Sequence, residues 1–534
     1  MNIWMLSDMA AEGFGDRVVI GRTDGGLTAR RLRELASGGA HLVRDADADA
    51  IVYLAVNGPA LAVALFAAAR AGVPLVPVNY RLGAPQLDAL LANHPRALGI
   101  ADPEHGEALR RAGLPVYGPA EWLTRAAGHC GLPAADAPPQ PRSPGPGAPA
   151  VLIYTSGTTS APKGVLLRHH HLVSYVLGTV EFAGADPGAA ALVSVPPYHI
   201  AAVSHVLTNL YAGRRTLPLE QFTPDGWLDL VREQRITHAM VVPTMLARIM
   251  DTDGLDRSVP SLRTLAYGGA WMPARVIETA LRVWPHVDFV NAYGLTETSS
   301  TITVLGPQEH RTAVASDDPA VRARLGSAGL PVPGVEIEVR DASGAVAAPG
   351  EAGQIWVRGE QVSGEYAGQG SAVDERGFFH TRDRGRIDPD GYLHIQGRTD
   401  DTIIRGAENI APAEIEDVLL GHPDVLDAVV VGLPDEEWGQ RIEAVVVLRD
   451  GGAIDPEALR ARVRGTLRGS KTPDRITRWP ELPRTPTGKL VRRDIVEALA
   501  AEGRRAVNGR SVGRPGMTGS TGTTGSTGST GPRT

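Results

Sequence analysis

Ile153-Tyr154-Thr155-Ser156-Gly157-Thr158-Thr159-Ser160-Ala161-Pro162-Lys163-Gly164 is the stretch on which the reading of this chain turns. The apolar run 150–153 has the character of a buried strand, and five Ser and Thr side chains and two glycines follow before the pattern turns apolar again at Val165. A loop of that composition presents backbone N–H groups and hydroxyls to an anion, and Lys163 adds a point charge, so the stretch is expected to hold phosphate. Its order is not Gly-x-x-x-x-Gly-Lys-Ser/Thr, which sets it apart from ordinary P-loop ATPases.

Outward from the loop, the chain divides by pattern. Before it, a helix is expected from Thr28, its N-cap, then strands at 51–56, 75–78 and 97–101 with helices at 60–71 and 86–91. That alternation predicts an α/β fold with a largely parallel sheet covered by helices. The Pro-rich segment 138–149 reads as a connector. After the loop, apolar runs at 191–195, 239–242, 264–267 and 288–290 predict further strands; 264–267 leads into Gly268-Gly269-Ala270, and 288–290 into Asn291-Ala292-Tyr293-Gly294-Leu295-Thr296-Glu297-Thr298. Alternating runs at 335–339, 354–358 and 391–395 predict a small β subdomain. A helix at 412–420, strands at 425–431 and 443–448 and a helix at 456–467 predict a compact α+β unit. Beyond about 507 the chain is rich in Gly, Ser and Thr and cannot bury a core, so a disordered tail is expected.

Three of these segments, 153–164, 291–298 and Pro483-Arg484-Thr485-Pro486-Thr487-Gly488-Lys489-Leu490, resemble in order the signature motifs of the adenylate-forming (AMP-binding) superfamily. Its members include acyl-CoA synthetases, aryl-CoA ligases, luciferases and peptide-synthetase adenylation domains. The resemblance runs over roughly residues 5–500. It implies a large N-terminal AMP-binding domain of parallel α/β sheets plus a β subdomain at 1–397, a hinge at 398–402, a small mobile C-terminal α+β domain at 403–505, and a tail at 506–534.

The resemblance also implies roles. Thr155, Ser156, Gly157, Thr158, Thr159 and Lys163 would cradle the phosphates of ATP, while Gly269, Ala270, Asn291 and Ala292 would line the nucleotide. Tyr293 would pack on adenine, Thr296 would touch phosphate and Glu297 would hold Mg²⁺. A planar base suits an aromatic face and a hard cation suits carboxylate oxygen, so chemistry agrees with the outer two of those three roles. In Thr381-Arg382-Asp383, where the family has Thr-Gly-Asp, Asp383 would bind the ribose hydroxyls, and Arg398 would reach the ribose. Asp400 would be the residue about which the small domain turns. Lys489 would reach into the cleft and neutralise charge as a carboxylate attacks the α-phosphate. Tyr198 and His199, in a Pro-x-x-His element, would lie on the substrate side together with Gly268 and Gly294. Three residues depart from the family pattern by replacing glycine: Ser160, Arg382 and Ala407. Arg382 would place a cation near the nucleotide.

The activity so implied is a two-step one: MgATP and a small-molecule acid give an acyl-adenylate and pyrophosphate, and the acyl group passes to CoA. A carrier protein is the nearest alternative acceptor, and some relatives activate nitrite for nitrogen–nitrogen bond formation in natural-product pathways. Peptide-synthetase selection of an amino acid is not expected, because Ile200-Ala201-Ala202-Val203 supplies no aspartate for an α-amino group. A degenerate nucleotide-binding regulator is argued against by Lys163, Glu297, Asp383, Arg398 and Lys489, all in place.

Composition sets outer bounds. The chain has 534 residues, more than one core usually spans, so two or more folded units are expected. A net charge of −7 with scattered basic residues gives no footprint for nucleic acid. No apolar run reaches ~18 residues, so no membrane span is expected. One cysteine, Cys130, suits a reducing cytoplasm. The adjacent His169-His170-His171 cannot share one face of a helix and are not expected to hold a metal.

Overall fold

The computed structural model describes residues 1–130, 145, 147–155, 163–405, 408–435, 437–449, 452, 454–467, 469–485 and 490–510, with backbone alone at 409 and 503–510. Its first helix of the expected series, Ala29–Asp45, starts where Thr28 Oγ1 accepts the Arg31 N–H at 3.1 Å. It packs on Pro59–Ala71, whose residues 60–69 are apolar on every side and all buried, as such a stretch of helix must be.

Among the described residues, two large sheets carry the N-terminal part. The interior of one is parallel: Pro149–Thr155, Leu75–Pro77, Ile51–Leu54, Leu98–Ala101 and Val116–Tyr117 lie side by side in that order. The interior of the other is parallel as well, in the order Asp288–Leu295, Thr264–Gly268, His238–Val241, Ala190–Val193, Arg215–Pro218. The expected parallel α/β architecture therefore holds in the middle of each sheet. At the edges it gives way to antiparallel pairing. Lys163–Arg168 returns antiparallel to Pro149–Thr155, and Ser300–Leu305 antiparallel to Asp288–Leu295. Connection length explains this, since a parallel return needs a crossover of a dozen or more residues and only 156–162 separate the first pair.

The strand expected at 288–290 runs on to Leu295, so most of the octet 291–298 is strand rather than the loop after one. The β subdomain is an antiparallel sheet of Val335–Arg340, Gly353–Gly359, Phe379–Ile387 and Leu393–Arg398. In the small C-terminal unit, Val425–Asp435 and Gly439–Leu448 pair antiparallel, and Arg475–Arg478 joins in parallel. Alternate residues of the first strand enter two cores: Ala428 and Val430 meet Ile415, Leu419 and Leu459, while Val429 and Val431 meet Ile495 and Leu499. Burial on both faces is why this strand reads as a continuous apolar run. The last helix, Arg492–Arg510, continues past the tail boundary expected at 505–507, and residues 511–534 lie outside the described ones. No helix among the described residues is long and apolar enough to cross a membrane.

Candidate active site

The C-terminal ends of Thr264–Gly268 and Asp288–Leu295 lie in register, Tyr267 opposite Asn291 and Gly268 opposite Ala292. Close approach explains the first glycine: a Cβ on Gly268 would stand 2.2 Å from the Ala292 carbonyl oxygen. Gly269 follows at φ +80°, and it and Ala270 are exposed at the sheet end. Asn291 faces another task as well, donating its amide to the Ser327 carbonyl at 2.8 Å.

Strand Asp288–Leu295 ends in a single 3₁₀ turn, Thr296–Thr298. Thr298 Oγ1 closes it, accepting from the Leu295 N–H at 3.0 Å and donating to the Ser300 carbonyl at 2.7 Å. A Cβ on Gly294 would stand 1.8 Å from that same Ser300 oxygen, so the return strand lies directly against it. Thr296 and Glu297 are half-buried on this turn. The Glu297 carbonyl accepts the Ser363 and Gly364 N–H groups at 2.8 and 3.3 Å, and its Oε1 accepts the Tyr366 hydroxyl at 2.9 Å. Burial first, and then the Glu297 charge, hold the Tyr366 phenol far above its usual range.

Three strands supply a second cluster. Tyr293 donates its hydroxyl to Asp383 Oδ2 at 2.6 Å, and Arg398 Nη1 donates to Asp383 Oδ1 at 3.0 Å and to the Thr381 carbonyl at 3.3 Å. Asp383 and Arg398 are direct cross-strand partners, which accounts for their meeting across 15 residues of sequence. Burial, and next the Asp383 charge, push the Tyr293 phenol well up, so it stays a donor. Between Thr381 and Asp383, Arg382 is exposed and holds φ +63°, the left-handed region that a glycine enters freely.

Thr155 and Lys163 are the last partners of their hairpin before the connecting residues 156–162, and the Lys163 ammonium lies 5.4 Å from the centroid of the Tyr366 ring. Ser156, Gly157, Thr158, Thr159 and Ser160 lie outside the described residues, as do Gly406, Ala407 and Lys489.

His199, expected on the substrate side, stands at the N-cap position of helix Ile200–Ala212, with its ring 4.8 Å from that of Tyr198. Tyr198 meets Tyr80 edge-on at 5.4 Å, and Tyr80 stacks on His105 at 5.7 Å. The Tyr198 hydroxyl is buried with no hydrogen-bond partner among the described residues, and burial pushes its phenol up to about 12. The same helix reaches the Glu297 turn, because Ser204 Oγ donates to Ser300 Oγ at 3.3 Å.

Asp400 lies exposed in the 3₁₀ turn Thr399–Asp401. On its far side Asp401 Oδ2 is 3.4 Å from Arg492 Nε, and Arg492 also pairs with Glu416 at 2.8 Å and donates to the Val430 carbonyl at 2.6 Å. The two units also meet at Arg449, 3.7 Å from Asp251, a carboxylate that Arg275 grips at 2.8 and 3.0 Å.

The histidine triplet has a structural explanation. His169 Nδ1 accepts the Ile3 N–H at 3.4 Å and His171 Nδ1 accepts the Arg168 N–H at 3.2 Å, and burial lowers both rings to about 4, so they stay neutral. Among the described residues no group of three or more His, Cys, Asp and Glu could enclose a metal ion. One carboxylate, Glu297, with Oε2 beside the oxygen that Tyr366 holds, is nonetheless a fitting donor set for Mg²⁺, which is commonly bound through one or two carboxylates, nucleotide phosphates and water.

The model of the AMP-binding enzyme family matches residues 7–367, and that of the AMP-binding enzyme C-terminal domain matches 414–489. The chain belongs to the AMP-binding enzyme family. This AMP-binding enzyme is 33% identical to the fatty acid--[acyl-carrier-protein] ligase ScoC of Streptomyces coeruleorubidus, over 91% of this chain and 94% of that one. It is 36% identical to the feruloyl-CoA synthase of Amycolatopsis sp, over 88% and 92%. The o-succinylbenzoate CoA synthetase of Bacillus subtilis, solved with its acyl-adenylate intermediate, superposes with a TM-score of 0.79 at 26% identity, covering 93% of this AMP-binding enzyme and 98% of that chain.

Tyr366, in contact with the expected site residue Glu297, is one that sequence reasoning does not find. It is 69 residues from Glu297, on a strand of only two residues, Glu365–Tyr366, too short to carry a periodic signal.

Proposed function

We propose that this AMP-binding enzyme joins the AMP moiety of ATP to a small carboxylic acid, releasing pyrophosphate, and that the thiol of CoA then takes the acyl group and displaces AMP. The observation that carries the reading is the convergence of two hydrogen-bonded clusters on the Asp288–Leu295 strand and its turn: Glu297 with Tyr366, and Asp383 with Tyr293 and Arg398. Asp383 offers two acceptor oxygens to a vicinal diol, Tyr293 an aromatic face to a base, and Lys163 a positive charge to phosphate. Mg²⁺ bound through Glu297 would supply charge neutralisation on the phosphates. His199 and Tyr198 would border the acid, with the unpartnered Tyr198 hydroxyl as its polar contact. Lys489 would approach as the acid carboxylate attacks. One preorganised contact of that kind is worth about 3–4 kcal/mol, so Lys489→Ala should lower pyrophosphate release by roughly 10²–10³ with an unchanged melting temperature. Release at the parent rate would remove Lys489 from the mechanism. A cytoplasmic setting, which supplies ATP and CoA, suits a chain with one half-buried cysteine.

A carrier protein in place of CoA is the second reading, favoured by the likeness to the carrier-protein ligase. A panel of acids with ATP, offered CoA, a carrier protein bearing its phosphopantetheine arm, or neither, and scored by product mass, separates the two. The same panel run with nitrite and an aryl amine tests nitrogen–nitrogen bond formation. Product in none of these would remove the ligase reading.

A further inference from the structure

Residues 363–367 bridge two elements far apart in sequence. At one end Ser363 and Gly364 donate their N–H groups to the Glu297 carbonyl; at the other, the Ala367 N–H donates to the Gly164 carbonyl at 2.8 Å, and Tyr366 pairs with Val165. Gly164 and Val165 belong to the strand that begins at Lys163, directly after the hydroxyl-rich loop. Tyr366 is thus fixed from both sides by backbone. Its side chain then touches one charged group with each of its ends: the hydroxyl donates to Glu297 Oε1 at 2.9 Å, and the ring lies 5.4 Å from the Lys163 ammonium.

These contacts do different things. A donor on one carboxylate oxygen sets the plane of the group and leaves the other oxygen free, and such supporting hydrogen bonds orient the ligands of metals generally. An aromatic face beside an ammonium attracts it without neutralising it, so Lys163 keeps its charge for an anion.

We propose that Tyr366 is a positioning residue of the adenylation site: its hydroxyl aims Glu297 at a divalent cation on the ATP phosphates, and its ring holds Lys163 beside the same phosphates. The inference rests on the reading of Glu297 as the cation's carboxylate and adds a residue that ties this carboxylate to the phosphate loop.

The test measures ATP binding calorimetrically to the full chain, with Mg²⁺ titrated in and with the metal chelated; no acid substrate is needed. Tyr366→Phe keeps the ring and loses the hydroxyl, so it should raise the half-saturating Mg²⁺ concentration about 10-fold or more and leave metal-free ATP binding at the parent value. Tyr366→Leu loses both and should weaken metal-free binding several-fold as well. Glu297→Gln is run in parallel. If it shifts the Mg²⁺ dependence and Tyr366→Phe does not, the hydroxyl has no positioning role while the Glu297 reading stands. If Glu297→Gln also keeps parent values, the Glu297 reading is wrong and the inference falls with it. Unchanged metal-free binding in Tyr366→Leu overturns the Lys163 half. Equal loss of binding with and without Mg²⁺ in Tyr366→Phe, at a melting temperature several degrees lower, would reduce the contact to a structural hydrogen bond and overturn the proposal.

Discussion

Arg382 occupies a backbone conformation, φ +63°, in which a Cβ crowds the chain and costs roughly 1–2 kcal/mol. Glycine carries no such cost there, so Arg382→Gly should raise the melting temperature by about 1–2 °C, less what the added freedom of the unfolded chain takes back. Thermal unfolding of the two proteins measures it, and a lower value would mean the guanidinium makes a stabilising contact. The substitution itself was legible in Thr381-Arg382-Asp383. Its strain was not, because a backbone angle is set by the fold around the residue and leaves no mark in residue type. His169 and His171 make the acid side of stability readable. Burial lowers both to about 4 in the folded chain, against about 6.5 unfolded. Since the folded values are the lower ones, the contribution is fully present above pH 6.5 and is lost as pH falls toward 4, at up to about 1.4 kcal/mol per pH unit for each ring. The melting temperature should therefore drop between pH 6.5 and 5, and drop less steeply in His169→Asn. Equal slopes would show that acid sensitivity arises elsewhere.

At the scale of elements, what could be read depended on where the apolar residues fall. Pro59–Ala71 and Leu98–Ala101 were legible because buried strands and helices leave unbroken apolar runs. Asp288–Leu295 was legible only in its first residues, because Asn291 and Gly294 look like loop residues; they are strand residues near the end of an inner strand, beside the candidate site. Antiparallel edges were not legible, since strand direction follows from the length of a connection and from which neighbour is vacant. Gly294 gives this element its own test. With the Ser300 oxygen 1.8 Å from any added Cβ, and backbone on both sides unable to yield cheaply, Gly294→Ala should cost about 2–3 kcal/mol. It should also displace the turn bearing Glu297, so the melting temperature and MgATP affinity should fall together. Retention of both would show that the two strands can separate without disturbing the turn.

For the whole molecule, the motifs set the expected order of the units, with the hinge expected at 398–402. Arg398 is bound to Asp383 and Thr381 on the large side, and Asp401 to Arg492 on the small side. Thr399 and Asp400 alone lie between these attachments, in a turn closed by two hydrogen bonds of 3.3 Å from Thr402 to Thr399 and Arg398. Proline at 400 fixes φ near roughly −65° and restricts Thr399 too. Asp400→Pro should keep pyrophosphate exchange while transfer to the acceptor falls by orders of magnitude; equal loss of both would indicate misfolding, and equal retention that no rotation is needed. The same attachments also make the small unit an interchangeable part. It carries its own pair of cores, and Arg492 ties those cores to the junction through Asp401. A join placed between Thr399 and Asp400 leaves the Arg398 cluster whole on one side and the Asp401–Arg492 pair whole on the other. A replacement unit from a relative would have to bring an acid and an arginine able to meet as Asp401 and Arg492 do, and a cation to face Asp251 as Arg449 does; such a cassette would test whether the small unit sets the acceptor.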